Sequence, residues 1–307
     1  MRRTLITLMT GCSLLAAGAA QAQSSDVQIE PRWAVGGDVF YSTDADDTEV
    51  TKLGANLDWS WKGPEKYRGL RVETVTFKPS GQSSHDAQRL YLRAADTTGN
   101  WTWMTNVGTD GDTVVGSASI HNNARYRQEY FIEREIVETP RGLDEGIYYT
   151  FIGGAVDIPF SERSNLNLLV GAQDFKGDNL RTHLRATYVH VVKPEWGLSA
   201  LLRARYYHSS DPGEYDYFSP RDYTEIIPVL QVRRFYGGWR YKVAGGIGGQ
   251  KATGRDWKQA RFLDAEVISP PVRDWSFKAG VTYSNTPVAA GYTYDYTQVS
   301  FGVTRAF

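Results

Sequence analysis

The chain has 307 residues, of which 41% are apolar, 22% charged and 13% aromatic, and its mean hydropathy is -0.44. This excludes a helical membrane bundle, because a spanning helix takes about 20 consecutive apolar residues and only the run from Leu5 to Ala20 comes near. The 34 basic and 35 acidic side chains almost cancel, so no strong field draws nucleic acid or an anionic membrane surface.

Arg2 and Arg3, the apolar run Leu5 to Leu15 and the small-residue site Ala20-Gln21-Ala22 read as a secretory signal peptide over residues 1–22, cleaved before Gln23. Cys12, the single cysteine, leaves with it, so the exported chain is expected to be held by a large hydrogen-bonded fold without disulfides. Residues 23–31 form a short N-terminal segment. From Arg32 to Phe307 the pattern has a period of two and no helical stripe. Alternating runs fall at 32–42, 50–61, 68–78, 88–96, 100–109, 113–121, 125–138, 146–158, 165–175, 180–192, 196–208, 222–236, 239–250, 257–268, 274–284 and 292–306. In the second, Leu53, Ala55, Leu57, Trp59 and Trp61 take one face, and Gly54, Asn56, Asp58 and Ser60 the other. In the tenth, Leu184, Ala186 and Tyr188 oppose Arg181, His183 and Arg185. The even count and run length suit an all-β fold, a transmembrane antiparallel up-and-down β-barrel of about sixteen strands, each long enough for the roughly 9–11 residues that cross a bilayer.

The turns agree with that fold. Thr97-Thr98-Gly99, Lys193-Pro194-Glu195 and Gly237-Gly238 are tight and follow even-numbered runs, whereas Ser209 to Arg221 and Asn285 to Gly291 are longer and follow odd-numbered ones, as periplasmic turns and outer loops do. Trp33, Trp101, Trp196, Trp239 and Trp275, with Tyr67, stand at the start of upward strands, where aromatic rings settle at a membrane boundary. Phe307 closes a strand with Phe301, Val303 and Val299 at alternate positions. Arg305 interrupts that row and is expected to snorkel. Pro228, inside a continuous run, predicts a bulge or bend.

A secreted β-sandwich also alternates, but it keeps its inner face dry. Here that face gathers Arg71, Glu73, Arg93, Arg127, Glu129, Glu133, Glu135, Arg181, His183, Arg185, Arg203, Arg205, Arg233, Arg240, Lys242 and Lys278, which predicts a hydrated lumen lined by both signs. Such a mixture suits a neutral, weakly charged or zwitterionic passenger. No metal or nucleophile motif appears among the five histidines, so no enzyme, cofactor or metal is expected. The loops look too short for a plug, and none reads as a long inward-folded constriction. Tyr215, Tyr217, Phe218 and Tyr223 cluster in the longest outer loop, where they suit contact with a glycan or an outer girdle equally.

Tyr217-Phe218-Ser219-Pro220 followed by Tyr223, in a sixteen-segment barrel ending in Phe307, resembles the C-terminal barrel domains of exopolysaccharide-export proteins, the outer-membrane pores for cellulose and poly-N-acetylglucosamine. The resemblance implies secretion of a polysaccharide across the outer membrane of a Gram-negative bacterium. Barrel-assembly machinery would recognise Phe307, and outer-membrane lipid would surround the barrel. Those exporters carry helical repeats before the barrel, and no 34-residue repeat is present here, so a separate periplasmic export component is expected. A general diffusion porin, an outer-membrane enzyme acting on lipid or peptide, and a plugged structural barrel remain the alternatives.

Overall fold

The computed structural model describes residues 30–44, 48–79, 81, 83–270, 274–285 and 295–307. The signal peptide expected over 1–22, with Cys12, almost all of the 23–31 segment and most of the loop expected after Asn285 lie outside them. The first eight strands are β1 (Arg32–Asp44), β2 (Glu49–Gly63), β3 (Lys66–Lys78), β4 (His85–Thr98), β5 (Trp101–Thr109), β6 (Val114–Asn122), β7 (Gln128–Ile136) and β8 (Tyr148–Pro159). The second eight are β9 (Ser164–Phe175), β10 (Leu180–Lys193), β11 (Leu198–Ser209), β12 (Asp222–Tyr236), β13 (Trp239–Ala252), β14 (Lys258–Ile268), β15 (Trp275–Ser284) and β16 (Tyr296–Ala306). A one-turn helix, α1 (Pro140–Asp144), interrupts the loop between β7 and β8.

Each strand pairs antiparallel with its sequence neighbours, and β1 pairs with β16 from Ala34↔Ala306 to Asp44↔Tyr296, so the sheet closes on itself. Closure removes the row of unpaired backbone groups that an edge strand would present, which is the condition for strands to sit in lipid. The outer face is apolar all round: Val35, Val39, Leu53, Val72, Leu92, Ile152, Val170, Leu202, Leu230 and Ile247 are exposed on it. Among the described residues no helix is long and apolar enough to cross a membrane. The molecule is a transmembrane β-barrel of sixteen strands.

The aromatic belt follows local geometry. Trp33, Trp196 and Trp275 are exposed at one rim, where Trp101 stacks on Tyr130 at 6.4 Å, and Phe277 lies between Trp239 and Trp275 at 6.2 Å from each. The Arg305 guanidinium lies over both Trp275 (5.1 Å) and Phe307 (5.0 Å), which is how a charge is tolerated in that apolar row. Gly237 and Gly238 both have positive φ, at 56° and 79°, the geometry of a two-residue hairpin turn.

Three local expectations are corrected. A register shift between Asp58 and Ser60 turns Trp61 from the lipid face to the inside, where it stacks on Tyr67 at 5.8 Å and packs with Ala34 and Ala306. A one-residue shift flips every later side chain, which simple alternation could not anticipate. Tyr67 likewise points inward, under Arg93 at 4.2 Å, and does not join the belt. At Pro228, of the bulge or bend expected, the bulge fails: β12 and β13 keep one register from Ile226↔Gly249 to Val229↔Gly246, and only the pairs between them open. Glycine on β13 makes this possible. A Cβ at Gly246 would stand 2.3 Å from the Pro228 carbonyl oxygen, whereas one at Gly280 would meet nothing nearer than 3.4 Å. Gly246→Ala should therefore lower stability by about 1–3 kcal/mol, as overpacking does, while Gly280→Ala changes little; the urea midpoint of the refolded barrel measures both.

Candidate functional site: the barrel lumen

The interior charges interleave on β1 to β8 and on β13 to β15, as expected, but on β9 to β12 they are nearly all arginine. On β1 to β8 the inward-facing charged residues are Asp38, Lys52, Asp58, Arg71, Glu73, Arg89, Arg93, Glu129, Glu133, Glu135 and Asp157, an excess of carboxylates. On β9 to β12 they are Arg181, Arg185, Arg203, Arg205, Arg233 and one carboxylate, Glu225. Strands β13 to β15 carry three cations on two carboxylates: Arg240 and Lys278 engage Glu266 (3.1 and 3.5 Å), and Lys242 engages Asp264 (2.6 Å).

The charges of the acidic wall are buried and paired, where solvation was expected. Arg71 bridges Asp38 and Glu73, and Arg89 reaches from Glu73 to Glu135. Arg93 lies 3.3 Å from Asp58, and Arg127 lies 2.8 Å from Glu129. Glu133 accepts a bond from the Tyr149 hydroxyl at 2.8 Å. Ions withdrawn from water are tolerated only when partners and hydrogen bonds replace the lost hydration, and here neighbouring strands supply them. A half-open cavity of about 200 Å³ remains between β3 and β7, lined by Tyr67, Arg71, Arg93, Asn106, Ser117 and Glu129 among others.

The arginine wall is coupled to rings. Arg181 is fully buried, donates to the Ser209 hydroxyl and the Phe218 carbonyl, and lies over Phe175, Tyr207 and Tyr217 at 5.0, 4.6 and 5.6 Å. Arg203 lies over Phe262 at 4.0 Å, and Arg205 pairs with Glu225 at 2.8 Å. His183 sits between Phe151 and Tyr207, with Nε2 3.2 Å from the Gln173 side-chain oxygen. Arg185 and Arg233 are partly exposed toward the lumen.

Two outer loops enter the barrel, which overturns the expectation that none folds inward. Residues 137–147, counted partly as strand from the sequence, leave β7 and fold inward against the inner face of β2 to β6. Leu143 packs among Val50, Val75, Phe77, Tyr91 and Val115, and Glu138 pairs with Lys52 of β2 at 2.7 Å. The loop from 210 to 221 follows. Tyr217 is buried and stacks on Phe175 at 4.3 Å, Tyr223 stacks on Tyr207 at 5.0 Å, and Phe218 meets Tyr223 edge-on. The outer-girdle alternative thus fails for Tyr217 and Tyr223, whose ring faces are already covered inside the mouth. Tyr215 stays half-buried under Arg141 at 4.9 Å.

Asp216, not singled out from the sequence, clasps the two loops. Its carboxylate accepts from the Thr139 hydroxyl at 2.6 Å and from the Arg141 backbone N–H at 2.8 Å, at the start of α1. Glu214 does the same for the next loop, accepting from the backbone N–H groups of Asp178 and Asn179 at 2.7 and 3.1 Å. With Asp178 and Asp211 it forms a carboxylate cluster whose geometry those bonds explain. Ser164 Oγ and His190 Nδ1 are 2.9 Å apart, and Tyr188 donates to the same hydroxyl. Among the described residues no carboxylate engages His190, so this pair lacks the orienting group of a catalytic triad.

A closed antiparallel cylinder with a lipid-facing belt and an ion-lined interior defines the class: a transmembrane β-barrel whose distinctive chemistry lies in its lumen. No family model and no curated protein matches the sequence. Among solved structures, the chain is similar to a "Bacterial polysaccharide outer membrane secretin", with a TM-score of 0.65 and 13% identity over 89% of this chain and 98% of that one. It also aligns with OccAB3 of Acinetobacter baumannii, with a TM-score of 0.43 and 9% identity over 91% of this chain and 98% of that one. These are likenesses of fold.

At the outer rim, burial opposes ionisation of Asp110, but the Tyr148 hydroxyl at 2.7 Å and the backbone N–H groups of Thr113 and Asp112 hold its carboxyl below the ordinary 3.8. A lowered carboxyl contributes stability above its ordinary value and loses it as pH falls through the lowered one. Asp110→Asn should therefore be less stable than the parent at pH 7, with the gap closing below pH 3.8; thermal unfolding of both across pH measures it.

Proposed function

We propose that the protein is an outer-membrane pore that carries a polysaccharide out of a Gram-negative cell. The observation that carries this reading is the interior itself. Ring–guanidinium pairs and hydroxyls run from Trp61, Tyr67 and Arg93 near one mouth to Arg181, Tyr207 and Tyr217 near the other. Sugar chains present alternately apolar faces and hydroxyl edges, which suit rings and guanidinium donors respectively. The fold shared with the polysaccharide secretin supports the same reading. On it, the luminal arginines and the Tyr215–Tyr223 segment contact the passenger once the Asp216 clasp opens. A separate periplasmic component delivers the chain, and Phe307, exposed at the rim, serves barrel assembly.

A second reading, a general diffusion porin, is favoured by the 137–147 loop lying inside the barrel, where it narrows the passage. Deleting the gene separates the two. Loss of surface polysaccharide with unchanged uptake of small hydrophilic solutes supports export, whereas intact polysaccharide with slower uptake supports the porin. In planar bilayers, Asp216→Ala should raise single-channel conductance by releasing α1; an unchanged conductance would show that the clasp does not limit passage.

A further inference from the structure

Arg185 stands apart from the other luminal arginines. In the ladder it lies directly opposite Arg205, a like-charge juxtaposition that is unfavourable unless something neutralises it. Arg205 is neutralised by Glu225 at 2.8 Å. Charged groups near Arg185 include Arg205, Glu225, Arg203 and Glu133. Glu225 is committed to Arg205 and to the Tyr223 hydroxyl, while Glu133 holds the Tyr149 hydroxyl and makes no ion pair with Arg185. Among the described residues, Arg185 has no hydrogen-bond or ion-pair partner. Its Nε is sealed from solvent and unbonded, yet the residue as a whole stays partly open to the lumen. A guanidinium so placed has lost part of its hydration without replacement, and an oxyanion in its fork would supply the missing bonds.

We propose that Arg185, with Arg203 and Arg205 beside it, forms an anion-binding site on the β10–β11 wall that takes the carboxylate of an acidic sugar in the passenger. The proposal rests on the export reading for the sugar and on the geometry alone for the anion. It gives the passenger at least one anionic group, because β9 to β12 hold five arginines against one carboxylate.

The test is isothermal titration calorimetry of the purified barrel with three probes: sodium sulfate, trigalacturonate and the neutral maltotriose. Trigalacturonate should bind at least about tenfold more tightly than maltotriose, and sulfate should compete with it. Arg185→Gln should lose about tenfold of the trigalacturonate affinity, the scale of a charge-assisted pair, and leave maltotriose unchanged. Because Arg185 has no protein partner and faces Arg205, the variant should unfold at a midpoint no lower than the parent's. Arg185→Lys, which keeps the charge and loses the fork, serves as a second variant and should fall between the two. Equal affinity for the acidic and neutral trisaccharides, or undiminished binding by both variants, would overturn the site. Sulfate binding without trigalacturonate binding would overturn the acidic-sugar assignment and leave the anion site standing. The export reading fails separately, through intact surface polysaccharide in the deletion strain.

Discussion

The constraint on which everything else depends is the β1–β16 ladder. Lipid offers no partner to a backbone N–H or C=O, so a chain that crosses with strands must return its last strand to its first. The pairs from Ala34↔Ala306 to Asp44↔Tyr296 do this, and the Phe307 N–H donates to the Trp33 carbonyl at 2.8 Å just beyond them. Once the sheet is closed, every strand has one face toward lipid and one toward the lumen, and alternation becomes obligatory along its whole length. The same closure makes the interior a small, enclosed volume into which many charged side chains must fit. They do so by pairing, as Arg71, Asp38, Glu73, Arg89 and Glu135 do in one connected network.

Much of the fold was legible because closure imposes a period of two. Strand number and order follow from alternation and turn residues; β12 runs from Asp222 to Tyr236 in both readings, whereas β7 keeps only Gln128–Ile136 of the 125–138 run. What alternation could not show are events that break it. The shift at Asp58 to Ser60 moves Trp61 inside, and nothing in the residue types marks it. The opening at Pro228 was located but its form was not, because the compensation lies in the glycines of the facing strand.

The candidate site was legible as a face but not as a set of contacts. Arg181, His183, Arg185 and Arg205 share the luminal face by parity alone. Their partners come from strands or loops distant in sequence: Arg181 meets Phe218, and Lys52 meets Glu138. Sequence spacing gives no handle on such pairs, so charges that balance in total were read as mixed in space. The inward loops were missed for a related reason. Residues 137–147 are few, and it takes the Asp216 carboxylate from another loop, the Glu138–Lys52 pair and the apolar packing of Leu143 to show that they turn into the barrel.

The sorting of charge around the circumference has a further consequence. With carboxylates in excess on β1 to β8 and arginines in excess on β9 to β12, the lumen carries an electric field perpendicular to the barrel axis, in a space where low-dielectric walls concentrate field lines. A molecule with separated charges has its lowest energy there when its negative end faces β9 to β12 and its positive end faces β1 to β8. The cylinder therefore distinguishes molecules by orientation as well as by width, and two passengers of equal size and net charge would experience it differently if their charges were arranged differently.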